Sequence, residues 1–240
     1  MPHVDLSTGI RIRYDERGPR DGRPLVLAHG FSVGLEMWFP QMHVLSQAYR
    51  LICWDARGHG GSSAPADVDS YTMPALAGDL RGLLEALDAA DGAIVGGMSF
   101  GGQIVTQYAV DHPDGTYALI VSDSTTRGLD SPPRPTRGFE EWAGDPGMEG
   151  CMRAMRERPD LTGDLRSLRI PTLLIAGTLD QMILPGLNRI ADALPHRRVV
   201  RLAGCGHGTS GQRPREWNQA VLDFLRDVDA GSPLGEDITV

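Results

Sequence analysis

The sequence has few cysteines, and their positions argue against two kinds of site. The chain of 240 residues contains three, Cys53, Cys151 and Cys205. They are far apart, odd in number and without C-x-x-C spacing, so neither a disulfide framework nor a zinc site is indicated. No pair of histidines has H-E-x-x-H spacing, and we therefore expect no metal and no cofactor. This cysteine usage favours a reduced, intracellular setting.

Long apolar runs and an excess of positive charge are also missing. The N-terminal stretch MPHVDLSTGIRIRYDERG has no apolar segment of the kind found in signal peptides, and no later run approaches the length of a membrane span. The net charge of -8 and the pI near 5.3 argue against nucleic acid or an anionic membrane as the main partner. We expect a cytoplasmic protein.

Apolar strands and amphipathic helices alternate along most of the chain. A hairpin is predicted from strands 4–6 and 10–14, and later strands at 25–28, 50–54, 93–95, 117–121, 171–176 and 198–202. Helices are predicted at 37–48, after the cap Thr72, and at 103–110, 149–157, 185–194 and 215–228. Such alternation predicts an α/β domain with a mostly parallel sheet and helices on both faces.

Residues 124–169 interrupt this alternation. They are rich in proline, glycine and charge at first and contain one plausible helix, at 149–157. We interpret them as a short lid inserted over the sheet edge, between core segments 1–123 and 170–230. Residues 231–240 are polar and predict a flexible tail.

A glycine-rich turn lies between a predicted strand and a predicted helix. Residues 97–101, GMSFG, place Ser99 at the turn, with glycines two positions before and after it. A serine at the tip of a strained turn needs small neighbours at those positions, so the pattern predicts a nucleophile elbow. The turn also brings the N–H of Phe100 to a helix N-terminus, where it can stabilise an oxyanion.

Two other glycine-rich motifs do not fit this turn. A phosphate-binding G-x-x-x-x-G-K-[ST] would require lysine where Gln103 stands, and a dinucleotide-binding G-x-G-x-x-G would require glycine where Met98 or Ser99 stands. Taken alone, a glycine–serine turn is also compatible with a simple connector.

A serine nucleophile needs a base and an acid that orients the base. Asp180 follows the predicted strand 171–176, and His207 follows strand 198–202, which gives the chain order serine, acid, histidine. Asp123 also ends a predicted strand after Ser99 and remains an alternative acid. His196 precedes the last strand and is interpreted as a solvated turn residue.

These motifs together resemble the α/β-hydrolase superfamily over residues 4–228. The resemblance rests on HGF at 29–31, DARGHGGS at 55–62, the Ser99 elbow and the pair Asp180 and His207. It implies the α/β-hydrolase fold, and it implies that the N–H of Phe31 joins that of Phe100 as an oxyanion hole. It also implies that His29 and the loop at 55–59 support the site without taking part in the chemistry.

Within the superfamily, residues 54–87 are most similar to 3-oxoadipate enol-lactonases and related esterases. This implies hydrolysis of a small-molecule ester or lactone through an acyl-enzyme on Ser99. Haloalkane dehalogenases and epoxide hydrolases of the same fold have aspartate at that position. The predicted lid is shorter than the multi-helix cap of enol-lactonases, which suggests an open site or one covered in a homodimer.

Several interpretations of the same residues remain open. The triad also suits C–C bond hydrolysis, thioester cleavage, acyl transfer or perhydrolysis, and a non-catalytic small-molecule receptor is a further alternative. Core packing is the alternative role for the candidate pocket residues, and it is favoured for Met98. The candidates are Phe31, Trp38, Met98, Phe100, Ile183 and Leu184.

Overall fold

The strands form one sheet in the computed structural model, which describes residues 1–126, 142 and 144–240. Its strand order within these residues is β1-β2-β4-β3-β5-β6-β7-β8-β9. The first two strands are antiparallel, β1 to β2 and β2 to β4, and all further pairs are parallel. The predicted hairpin, the mostly parallel sheet and the α/β-hydrolase fold class are confirmed.

The bounds of the elements agree with most of the sequence predictions. The strands are β1 His3–Asp5, β2 Arg11–Arg17, β3 Pro24–Ala28, β4 Arg50–Trp54, β5 Ala93–Met98, β6 Thr116–Ser122, β7 Thr172–Gly177, β8 Arg197–Leu202 and β9 Asp237–Thr239. The α-helices are α1 Phe39–Leu45, α2 Met73–Ala86, α3 Phe100–Asp111, α4 Pro146–Glu157, α5 Thr162–Leu165, α6 Leu184–Ala193, α7 Thr209–Gln212 and α8 Pro214–Asp229.

Alternating side chains of the central strands fill two apolar cores, one on each face of the sheet. In β3, Val26 contributes to the core that α2, α3 and α6 cover, whereas Leu25 and Leu27 contribute to the core under α1 and α8. Burial of such side chains stabilises the fold by about 1.5–3 kcal/mol each. Since both faces are covered, open access to the sheet is at its edges, and the carboxyl ends of the parallel strands share one edge.

The C-terminal residues are not the free tail that their polarity predicts. Strand β9 pairs in parallel with β8. Three further backbone hydrogen bonds run from the N–H of Val199 to Glu236, from the N–H of Val240 to Arg201 and from the N–H of Ala203 to Val240. The guanidinium of Arg198 also contacts Glu236 at 3.2 Å. The prediction of a flexible tail is wrong because backbone hydrogen bonding to an open sheet edge requires no apolar sequence.

The helix predicted at 149–157 begins earlier, at Pro146. The carboxylate of Asp145 accepts hydrogen bonds from the N–H groups of Gly147 and Met148, and proline suits the first turn because it has no N–H to satisfy. Residues 127–141 and 143, with much of the predicted lid, lie outside the described residues. The lid therefore remains a prediction.

All three cysteines are free and buried, and none forms a disulfide. In the described part of the chain, no helix combines the length and the apolar character needed to cross a membrane. Nor do the described residues contain a group of three or more His, Cys, Asp or Glu side chains that could hold a metal ion.

Candidate active site

Ser99 stands at a strained turn between β5 and α3. Its φ of 53° and ψ of -112° are unusual for a residue with a side chain. A Cβ atom at Gly97 would overlap the backbone of Gly101, and one at Gly101 would overlap the carbonyls of Ala28 and His29. The glycines predicted from the motif are therefore sterically required, and the turn holds Ser99 at the carboxyl edge of the sheet.

A chain of hydrogen bonds joins Ser99 to two distant residues. Nε2 of His207 lies 3.0 Å from Oγ of Ser99, and Nδ1 of His207 lies 2.7 Å from Oδ2 of Asp180. The carboxylate of Asp180 is held from its own turn, where the N–H of Ile183 donates to Oδ1. Loops after β5, β7 and β8 thus bring the three residues together, in a geometry suited to moving a proton from the serine hydroxyl to the imidazole.

The competing acid, Asp123, has other partners. Its Oδ2 accepts hydrogen bonds from the hydroxyl of Ser122 and from both the N–H and the hydroxyl of Thr209. Burial raises the pKa of the Asp123 carboxyl, and these donors oppose that shift. Asp123 therefore anchors the segment directly after Gly208, two residues beyond His207, while the imidazole itself contacts Asp180.

Two backbone N–H groups, on the segments that follow β3 and β5, have no acceptor among the described residues. Neither the N–H of Phe31 nor that of Phe100 donates a hydrogen bond to any residue that the structure describes. The neighbours of Phe31 are fixed on both sides, since the N–H of Gly30 contacts Sδ of Met37 and the N–H of Ser32 donates to His59. Unused donors in a fixed backbone suit a developing negative charge on a substrate oxygen.

Two buried histidines hold this backbone in their neutral form. Nε2 of His29 accepts from the N–H of Ala56, and Nε2 of His59 accepts from the N–H of Ser32. Each ring therefore carries its proton on Nδ1, which lies against a backbone carbonyl. Burial lowers the pKa of His29 to about 4 and that of His59 to about 3.

The loop at 55–62 is anchored by carboxylates that the sequence analysis did not fully anticipate. Asp55 accepts from the N–H groups of Leu35 and Gly61, and the guanidinium of Arg57 forms a bidentate ion pair with Asp79. Asp79 was missed in the sequence. The available signal was its position on the apolar face of α2, where a carboxylate requires a partner.

A cavity of about 100 Å³ opens beside Ser99 and His207. Of the predicted pocket residues, Ile183 lines it, whereas Leu184 does not. Trp38 is fully buried against Trp217, with ring centroids 5.4 Å apart, and Met98 also belongs to this core. The assignment of Trp38 to the pocket is wrong because its side chain is buried against Trp217 of α8 and does not line the cavity. The lining residues are Ser99, Gln103, Thr125, Met152, Met155, Arg156, Arg158, Met182, Ile183 and His207.

The predicted residues Phe31 and Phe100 form a neighbouring aromatic group. The ring of Phe31 makes edge contacts with Phe100 and Trp142, at centroid distances of 6.2 and 5.3 Å.

The methionines and the two arginines of the cavity were not predicted from the sequence. They lie on or just after α4 and at the turn before α6, and only the packing of these segments over Ser99 brings them to the site. A larger surface groove, of about 460 Å³, contains none of the three hydrogen-bonded residues.

Comparison with known proteins agrees with this geometry. Residues 23–148 match the family model described as the alpha/beta hydrolase fold. A non-heme chloroperoxidase of Streptomyces lividans is 30% identical over 94% of this chain and its own full length. A thermophilic esterase of Thermogutta terrifontis superposes with a TM-score of 0.85 at 27% identity, covering 95% of this chain and 99% of that one. The enol-lactonase of Burkholderia xenovorans has a TM-score of 0.82 at 25% identity, over 94% and 100% of the two chains.

The close approach at Gly101 yields a first prediction. Gly101→Ala should destabilise the fold by about 1–3 kcal/mol or more, because the added methyl group overlaps the backbone after β3. Gly78→Ala is the matched control: it lies in the exposed middle of α2 with open space around it, and should stabilise by about 0.5–1 kcal/mol. Urea unfolding measures both changes, and equal stability of the two variants would contradict the steric argument.

The neutral histidines yield a second prediction. Since the folded-state pKa of His59 lies below its unfolded value of about 6.5, the unfolded chain binds more protons in the window from about 6.5 to 3, and stability falls with falling pH. Between pH 7.5 and 5 this loss is about 2 kcal/mol. His59→Gln keeps an acceptor for Ser32 but cannot be protonated, so its stability should fall less. Urea unfolding at the two pH values tests this, with exposed His43→Gln as control; equal slopes for the two variants would refute it.

Proposed function

The chain belongs to the alpha/beta hydrolase fold family, and from this premise we propose that it is a serine hydrolase of carboxylic esters or lactones of small molecules. The observation that carries the proposal is the hydrogen-bonded chain from Asp180 through His207 to Ser99 at the mouth of a cavity. The esterase and enol-lactonase among the similar structures support the same type of reaction.

In the proposed reaction the hydroxyl of Ser99 attacks the substrate carbonyl while Nε2 of His207 takes its proton. Asp180 keeps the imidazole in the tautomer that accepts this proton and stabilises the cation that forms. The N–H groups of Phe31 and Phe100 donate to the oxyanion. The imidazole then protonates the leaving alcohol, and the acyl group remains on Ser99.

Deacylation requires a water molecule on the side of the acyl group where the imidazole of His207 lies. The side chain of His207 is 36% exposed, so water can approach Nε2 without a separate channel. The imidazole deprotonates this water, which attacks the acyl carbonyl and releases the carboxylic acid and free Ser99. An ester and a lactone differ here only in whether the alcohol leaves or stays attached to the acid.

The walls of the cavity favour a small acyl group. Three methionine side chains and Ile183 form its apolar side, and its volume of about 100 Å³ accommodates only a few heavy atoms. Helix α4 supplies Met152 and Met155, which supports the role of residues 124–169 as a lid that shapes the substrate pocket.

The triad assignment yields a third prediction, tested with p-nitrophenyl acetate, butyrate and octanoate. Ser99→Ala should lose nearly all activity, and Asp180→Asn should reduce kcat by about 10⁴-fold because the imidazole loses its orienting carboxylate. Asp123→Asn should reduce kcat far less, since Asp123 does not contact the imidazole. Acetate and butyrate should be preferred over octanoate.

Two outcomes would contradict this assignment. If Asp123→Asn is as damaging as Asp180→Asn while unfolding at the same temperature as the wild type, the acid has been assigned to the wrong residue. If Ser99→Ala keeps wild-type turnover, Ser99 is not the nucleophile.

Perhydrolysis is a second candidate, favoured by the similarity to a chloroperoxidase that contains no haem. Hydrogen peroxide would replace water as the group that attacks the acyl-enzyme, giving a peracid and free Ser99. The fourth prediction is that the protein forms peracetic acid from methyl acetate and hydrogen peroxide, and that Ser99→Ala does not. Peracid is measured by oxidation of iodide, and a rate no higher than that without protein would eliminate this candidate.

A further inference from the structure

Arg158 is a buried cation at the wall of the cavity that holds Ser99 and His207. It follows α4 directly and is 8% exposed. The sequence, with Arg158 between Glu157 and Pro159, suggests an ordinary surface charge at a helix end. The fold instead turns this side chain inward, to the same cavity as the serine hydroxyl.

The partners of Arg158 are neutral. Nη1 donates to the carbonyl of Met155 and Nη2 donates to the hydroxyl of Thr125 at 2.6 Å. Nε is buried and has no hydrogen-bond partner among the described residues. A guanidinium has five N–H donors, so three of them have no acceptor among the described residues, while the two contacts hold its plane in position.

Within the described residues, the other deeply buried arginines differ from Arg158 in having an acidic partner. Arg57 and Arg198 are each 6% exposed, and each contacts a carboxylate, Asp79 for the first and Asp227 for the second. Arg158 contacts no carboxylate within the described ranges. A buried charge without a counter-charge is costly, and an anion that enters the cavity would offset that cost.

The charged side chains among the described lining residues of the cavity are arginines. Burial lowers the pKa of Arg158 to about 10, so the side chain keeps its charge at neutral pH. A second arginine, Arg156, lies on the exposed side of the same cavity, and no aspartate or glutamate is among the lining residues that the structure describes. Asp180 is not one of these lining residues, and its carboxylate contacts Nδ1 of His207.

We propose that Arg158 binds a carboxylate group of the substrate, and that the substrate is a short-chain ester or lactone with a free carboxylate on its acyl part. This inference rests on the proposed serine hydrolase function. The planar fork of the guanidinium suits the two oxygens of a carboxylate, and the contacts to Thr125 and Met155 orient the fork before the substrate arrives. Binding of the carboxylate positions the ester carbonyl over Ser99.

Paired esters of equal length test the proposal on the wild-type protein. The charged series is monoethyl succinate, glutarate and adipate; the neutral series is ethyl 4-oxopentanoate, 5-oxohexanoate and 6-oxoheptanoate, in which a methyl ketone replaces the carboxylate. Acid release is followed in a pH-stat at pH 7.5. For at least one length, kcat/KM should favour the charged ester by about 10- to 100-fold, the range expected for hydrogen bonds between charged groups. Equal rates at every length, or preference for the ketones, would overturn the proposal.

Two variants show whether Arg158 causes this preference. Arg158→Gln should reduce the charged-to-neutral ratio of kcat/KM to near one, mainly through KM for the charged ester. Arg158→Lys should keep part of the preference, because it retains the charge without the fork. Arg166→Gln removes the same charge from an exposed arginine outside the cavity and should keep the wild-type ratio. If Arg158→Gln lowers both rates equally, or proves too unstable to assay while the wild type shows no preference, Arg158 is only a structural residue.

A binding measurement separates failure of this inference from failure of the proposed function. Ser99→Ala cannot form an acyl-enzyme, so calorimetric titration with succinate, glutarate and adipate reports recognition alone. If Ser99→Ala binds a dicarboxylate and the double variant Ser99→Ala, Arg158→Gln does not, the carboxylate site is supported even if no ester is hydrolysed. Absence of binding, combined with Ser99-dependent hydrolysis of the neutral esters, supports the hydrolase and refutes the carboxylate site.

Discussion

The close crossing of α3 over the end of β3 at Gly101 is the contact on which the site depends. It brings the backbone of residues 28 and 29 against the first turn of α3. Phe31 lies just beyond β3 and Phe100 at the start of α3, and their rings make an edge contact beside this crossing. The turn before α3 also holds Ser99 in a conformation that costs free energy, which the packing of α3 against the sheet offsets. One steric constraint thus bears on the position of the serine and on the backbone that follows β3.

Several buried ionisable groups around this crossing are paired, hydrogen-bonded or neutral. Asp79 pairs with Arg57, Asp55 accepts backbone N–H groups, and the two histidines behind Phe31 are uncharged. Removing one partner of a buried ion pair costs about 3–5 kcal/mol, so the Arg57–Asp79 pair also stabilises the loop that holds the backbone next to Phe31. Arg158 differs from these groups, because its guanidinium is buried at the cavity and contacts no carboxylate among the described residues.

Much of the scaffold could be read from local patterns. Apolar runs located the strands to within one to three residues at their ends, because burial on both faces of a parallel sheet requires such runs. The errors occurred where non-local contacts decide. The polar C-terminus pairs as β9 because a neighbouring sheet edge offers hydrogen bonds, and Trp38 packs in the core because α8 covers it. Helix α4 begins at Pro146, earlier than predicted, because Asp145 caps it there.

By itself the sequence determined the serine at the elbow, the glycines that the turn requires, and the order in which acid and base follow, because these are steric and connectivity constraints that act over a few residues. It favoured Asp180 as the acid and left Asp123 as the alternative. Only the tertiary structure decided which carboxylate contacts His207, since that depends on how the loops after β6, β7 and β8 meet at one edge. Only the tertiary structure, likewise, turned Arg158 from a helix-end charge into a buried cation beside Ser99, because burial is a property of packing and not of the residue.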